Sequence, residues 1–123
     1  MEIKKNMKEK VTVYHNPRCS KSRCAMDYFG ENNIEVSTVE YLKNSPSKAE
    51  IIVLLQKLGM KANELIRKGE SEFKEHYKGK ELSEDQWVDA MVKFPKLIER
   101  PIIVLGDKAV IARPLERINE LYA

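Results

Sequence analysis

The run RPIIVLGDKAVIAR, residues 100 to 113, holds two apolar strands separated only by Gly106-Asp107. A two-residue loop of that kind closes a β-hairpin, so the strands are antiparallel neighbours and any fold of this chain must contain a sheet built around them. The loop length also sets the register. Leu105 faces Lys108 and, counted outward, Arg100 faces Arg113. Directly opposed residues hold their Cβ atoms about 5 Å apart, where like charges destabilise a pair. Two guanidinium groups held there call for an anion between them, and arginine's planar fork suits a tetrahedral oxyanion better than lysine would. The competing arrangements are an arginine turned to solvent or paired with Glu99 or Glu116, or a register distorted by Pro101. Proline is tolerated where Arg100-Pro101 opens the strand, and the residues alone leave that bond trans.

Upstream, KVTVYH (residues 10 to 15) alternates β-branched and aromatic residues and reads as a strand. The loop NPRCSKS follows, and from about Ser22 to Glu31 the chain has the composition of a helix, stopping near Gly30 and Asn32-Asn33. IEVSTVEY (residues 34 to 41) is a second strand, completing a β-α-β unit whose strands are parallel. In SPSKAEIIVLLQKLG, Ser47 and Glu50 form a capping box, Ile51, Leu54, Leu55 and Leu58 share a face, and Gly59 stands where a C-cap glycine belongs. Residues 60 to 82 are polar and suit short helices without clear limits. Ser83 and Gln86 open a further helix carrying Trp87, Met91 and Val92, which must stop before Pro95. After the hairpin, Pro114 begins a short amphipathic helix with Leu115, Ile118, Leu121 and Tyr122 spaced to pack. The order resembles the thioredoxin fold: an α/β chain with a mixed four-stranded sheet, flanking helices and a helical insertion between its β-α-β and β-β-α halves.

A chain of 123 residues buries one core, so residues 1 to 123 are expected to form a single domain, with residues 1 to 10 a mobile polar leader and Met7 an alternative start. The net charge of +3 is too small to argue for nucleic acid, and the charges alternate along helix-like segments. MEIKKNMKEK lacks the apolar core of a secretory signal, and no run approaches the roughly 18 apolar residues of a membrane span. The expected location is the cytoplasm, where thiols stay reduced, so Cys19 and Cys24 are not a disulfide scaffold. His15 and His76 match no zinc spacing with them, and no metal is expected.

The chemistry concentrates in YHNPRCSKSRC, residues 14 to 24. A thiol becomes a nucleophile when a helix N-terminus and nearby cations favour its thiolate. Cys19 has Arg18, Lys21 and Arg23 around it and lies in the loop feeding the first helix, at the carboxyl end of a strand, where open α/β sheets place ligands. The backbone N–H groups of Ser20, Lys21 and Ser22 would face it and form an anion pocket. The other reading is an inert, half-buried cysteine in a turn. Asn16 and Pro17 shape that turn, while Ser22 serves either as a helix cap or as a substrate contact.

YHNPRCSKSR, LIRKGE, LIERPIIV and ARPLE together resemble the glutaredoxin-coupled arsenate reductases, relatives of the Spx-type regulators. The likeness runs from about Val11 to the C-terminus. It implies that Cys19 is the nucleophile that attacks arsenic, that Arg67, Arg100 and Arg113 bind the oxyanion and stabilise the transition state, and that His15 helps to set the state of the thiol. Ser20, Lys21, Ser22 and Arg23 would line the substrate site, and the bond before Pro101 would be cis. The implied reaction reduces arsenate to arsenite with glutathione as co-substrate and glutaredoxin as partner, in a monomer without a tightly bound cofactor. Nothing in composition or periodicity singles out Arg67, which otherwise reads as part of a solvated helix face.

Cys24 departs from the reductase pattern, and the C-x-x-C of Spx-type proteins would need cysteine where Ser22 stands. Cys24 is either a small apolar residue beside the core or a second, resolving thiol. Two rival functions stand beside the reductase: an Spx-type redox sensor binding RNA polymerase, which needs no arginine trio, and a glutathione-dependent thiol reductase with another substrate.

Overall fold

The computed structural model describes residues 10–122. The expected leader and the alternative start at Met7 lie, apart from Lys10, outside the described residues. The chain divides into two compact units, one reaching to Tyr41 and resuming at Arg100, the other spanning Leu42–Glu99.

The first unit holds β1 (Val11–Tyr14), α1 (Ser20–Glu31), β2 (Val36–Val39), β3 (Ile102–Leu105), β4 (Lys108–Ile111) and a 3-10 helix (Leu115–Tyr122). Its four-stranded sheet has the order β2-β1-β3-β4. β1 and β2 are parallel, with α1 as their crossover, while β1/β3 and β3/β4 are antiparallel. This is the mixed, thioredoxin-like sheet anticipated from the order of elements. Val13, Ile103 and Val110 stand in line across three strands. With Val11, Leu105 and Ala112 they pack against Ala25 and Phe29 of α1 and Ile118, Leu121 and Tyr122 of the 3-10 helix. That apolar layer fixes α1, and therefore the loop that leads into it, to the sheet.

The hairpin register is as expected, Leu105 opposite Lys108 and Ile102 opposite Ile111. The ladder ends there, followed only by a bond from Ala112 N–H to Pro101 O at 3.0 Å. Arg100 and Arg113 therefore lie outside the paired strands, and the expected face-to-face arginine pair is not part of the ladder. Each precedes a proline through a cis bond, Arg100-Pro101 and Arg113-Pro114. The first agrees with the resemblance and corrects the residue-only expectation of a trans bond. The terminal helix is 3-10 where an α-helix was expected. Leu115, Ile118 and Leu121 recur every third residue, which matches the three-residue turn of a 3-10 helix, and Arg117 N–H donates to Pro114 O at 3.0 Å.

The second unit is helical: α2 (Lys48–Leu58), α3 (Ala62–Leu65), α4 (Ser71–His76), α5 (Glu84–Lys93) and a 3-10 turn (Pro95–Leu97). Ser47 Oγ accepts from Glu50 N–H at 3.1 Å, α2 buries Ile51, Leu54 and Leu55, and Gly59 ends it at φ 68°, a left-handed conformation that costs glycine least. Ser83 and Gln86 exchange both capping bonds at the start of α5, which buries Trp87, Val88, Ala90 and Met91. Two carboxylates of α5 bind Lys48 of α2, at 2.8 Å from Asp85 and 3.0 Å from Asp89. A third, Glu84, accepts from the first amide of α3, Ala62 N–H, at 2.9 Å. The helices of the polar stretch are thus placed by bonds to α5, which no local pattern announces. α4 buries no residue and is held instead by Phe73 stacked on Trp87, ring centroids 6.1 Å apart.

Candidate active site

β1 delivers the chain to His15, and the next four residues form a tight turn. Cys19 N–H donates to Asn16 O at 2.9 Å, with Pro17 and Arg18 at the corner. Asn16 Oδ1 accepts from Arg18 N–H at 3.0 Å, and Asn16 N–H donates to Ser22 Oγ at 3.3 Å. One asparagine therefore ties the turn to itself and to the first turn of α1. Pro17 O accepts from Arg23 Nη1 at 2.9 Å, a second tie between loop and helix.

The turn leaves Cys19 extended, φ −95° and ψ 122°, as the N-cap residue of α1. The helix starts at Ser20, two residues before the expected start, because the turn closes earlier than the polar composition of SKS suggests. Cys19 O accepts from Arg23 N–H at 3.0 Å, the first bond of the helix. The amides of Ser20, Lys21 and Ser22 belong to the first turn, where no intrahelical acceptor exists, so they are aimed outward beyond the helix end. Together with the helix dipole they favour negative charge at Cys19 Sγ or on an anion beside it.

Cys19 is 8% exposed, whereas Cys24 is exposed on α1, and both are free thiols. Ser20, Lys21 and Arg23 are exposed around the loop, while Ser22 is fully buried. Ser22 is thus neither a cap nor a surface group: its hydroxyl holds Asn16. His15 is half-buried at the end of β1, and its Nδ1 is buried with no hydrogen-bond partner among the described residues. Burial pushes the His15 imidazole below its ordinary value of 6.5, against Glu40, which raises it, and with Arg23, which lowers it further.

Cys19, His15, Arg100 and Arg113 all belong to the sheet-containing unit, and Arg67 belongs to the helical one. Arg67 is not on a helix face. It follows α3 in a strap formed by an Ile66/Ile98 bridge, with Arg67 N–H donating to Leu97 O at 2.7 Å and Glu99 N–H to Leu65 O at 2.9 Å. Its Nη1 lies 2.7 Å from Glu70 Oε1 and its Nε 3.1 Å from Glu99 Oε1. All three side chains are less than a third exposed. Glu99, offered by the sequence as a partner of Arg100 or Arg113, binds Arg67. Glu70 was missed, although its spacing of three residues from Arg67 was a readable signal.

Comparison with known proteins places this geometry in a family. The ArsC family profile matches residues 14–121. YfgD of Escherichia coli K12, an uncharacterized protein, is 44% identical over 94% of this chain and 98% of its own length. The arsenate reductase of Neisseria meningitidis serogroup A is 36% identical over 89% of this chain and 95% of its own. A solved structure of an arsenate reductase from Vibrio cholerae superposes with a TM-score of 0.88 at 39% identity, over 92% of this chain and 98% of that one. With nearly the whole chain matched at such identities, this protein belongs to the ArsC family.

Proposed function

We propose that the protein is an arsenate reductase in which Cys19 is the nucleophile, glutathione the co-substrate and glutaredoxin the protein that regenerates it. The observation that carries the reading is the placement of Cys19 as the N-cap of α1, behind a turn closed by Asn16 and Ser22. A helix N-terminus both favours a thiolate and binds an oxyanion, the two species that must meet.

In the proposed cycle the Cys19 thiolate attacks arsenic and a sulfur–arsenic bond replaces an arsenic–oxygen bond, the oxygen leaving as water once protonated. A glutathione thiolate then attacks Cys19 Sγ. The electron pair of the sulfur–arsenic bond stays on arsenic, which is reduced from As(V) to As(III) and departs as arsenite. Cys19 remains as a mixed disulfide with glutathione, and a glutaredoxin thiol takes the glutathione and frees Cys19. The electrons come from thiols, so the scheme needs no tightly bound cofactor and fits a monomer in the cytoplasm. Ser20, Lys21, Ser22 and Arg23 supply backbone donors or positive charge at the helix start, and Arg100 and Arg113 neutralise the oxyanion. Arg67 carries Glu70 on its Nη1 and Glu99 on its Nε.

The test is NADPH consumption by purified protein with arsenate, glutathione, glutaredoxin and glutathione reductase, run beside Cys19→Ser and Cys24→Ser. Arsenate-dependent turnover lost in Cys19→Ser and kept in Cys24→Ser is expected. Turnover that survives Cys19→Ser refutes the mechanism.

A further inference from the structure

We propose that Glu40 is a positioning residue of this chemistry, acting through His15: it stands in step with His15 at the end of the parallel strand pair, and its carboxylate serves as the counter-charge of the imidazolium. The inference rests on the reading of Cys19 given above and names a residue that neither the sequence motifs nor the loop geometry brought forward.

The geometry comes from the register. β1 and β2 pair from Val11 with Val36 to Tyr14 with Val39. The bonding continues past the strand end, since His15 N–H donates to Val39 O at 2.8 Å. His15 and Glu40 are therefore the next residues in step. Neighbouring strands lie about 4.8 Å apart, and residues in step on parallel strands project their side chains the same way. His15 and Glu40 therefore stand about one strand spacing apart, and both residues are half-buried. At a half-buried site an opposite charge is screened less than in bulk water.

The charged groups that act on His15 are Glu40 at the end of β2 and Arg23 on α1. Burial is the largest influence and opposes the imidazolium, and Arg23 opposes it as well. Glu40 alone of these three favours it, so the protonated ring depends on Glu40. Formation of the Cys19–arsenic bond expels an oxygen, which leaves as water if a proton reaches it. His15 opens the loop that Cys19 closes. Its imidazolium gives that proton, becomes neutral imidazole, and is reprotonated from solvent before the next cycle.

The experiment is an NMR titration of the two histidine rings in the full chain, wild type and Glu40→Gln, with His15 assigned by its disappearance in His15→Gln. The kcat and KM of arsenate-dependent turnover are measured across the same pH range. In Glu40→Gln the His15 midpoint is expected to fall while that of His76 stays. The pH at which kcat declines on the alkaline side moves down with it, KM is unchanged, and Glu40→Asp restores part of both shifts. An unmoved His15 midpoint in folded Glu40→Gln protein overturns the proposal, and so does a moved midpoint with an unmoved kcat profile. Wild-type protein without arsenate turnover, whose His15 midpoint still depends on Glu40, refutes the arsenate reading while upholding the pairing.

Discussion

At the scale of single residues, the loop is held by the side chains of Asn16 and Ser22. Ser22 is the buried polar residue among the described residues, and its hydroxyl accepts from Asn16 N–H. Ser22→Ala removes that acceptor from a part-buried amide, so a loss of about 1–2 kcal/mol is expected in urea unfolding, with slower turnover as the Asn16–Cys19 turn loosens. His15 contributes a pH dependence whose sign follows from its lowered pKa. The unfolded chain binds the proton near the ordinary value of 6.5 and the folded chain only at lower pH, so the unfolded state holds more protons as pH falls below 6.5. Stability is therefore full above 6.5 and declines on acidification through that window. Thermal melts from pH 7.5 to 5 should show the decline, and His15→Gln should remove its share of it. YHNPRCSKSRC shows the candidate nucleophile in its letters, since cations and a following helix suffice to mark Cys19. The role of Ser22 is invisible there because a serine in a helix's first turn has the same local pattern whether it caps, binds substrate or holds a loop.

At the scale of elements, local chemistry was legible where a short-range rule decided the outcome. The Ser83–Gln86 box, the Ser47 cap and the left-handed Gly59 all follow from bonds that span a turn or less. Ser83→Ala should cost about 1 kcal/mol through the loss of its bond to Gln86 N–H. Gly59→Ala should cost about 1 kcal/mol because it forces a Cβ into φ 68°, although the space around it is open. Chemical denaturation of the two variants checks both figures. Where long-range bonds decide, the sequence was silent. The amide of Ala62 is capped by Glu84, and α4 hangs on Trp87 through Phe73. The terminal 3-10 helix is the instructive case: its apolar spacing of three was present, but Leu121-Tyr122 also satisfied an amphipathic α-helix.

At the scale of the whole molecule, the candidate residues are distributed over two compact units, with Cys19, His15, Arg100 and Arg113 in one and Arg67 in the other. The element order carried enough information to read the mixed sheet. Arg67 needed the resemblance to be noticed at all, and its two carboxylate partners needed the structure. Removing it takes a charge-assisted bond from each of two partly buried carboxylates, so Arg67→Ala should destabilise the chain by roughly 1–3 kcal/mol, less than the loss of a fully buried pair. Adding Glu70→Gln should recover part of that loss in the same unfolding experiment, which distinguishes the cost of a partly buried charge from a lost substrate contact. The central claim concerns Cys19: a nearly buried thiol at the start of α1, rather than the exposed Cys24, reacts with the oxyanion. The most direct measurement is mass-spectrometric mapping of iodoacetamide labelling at each cysteine over time, with and without arsenate. Arsenate is expected to slow labelling of Cys19 and to leave Cys24 unaffected. Labelling confined to Cys24, or a Cys19 rate indifferent to arsenate, would contradict the claim.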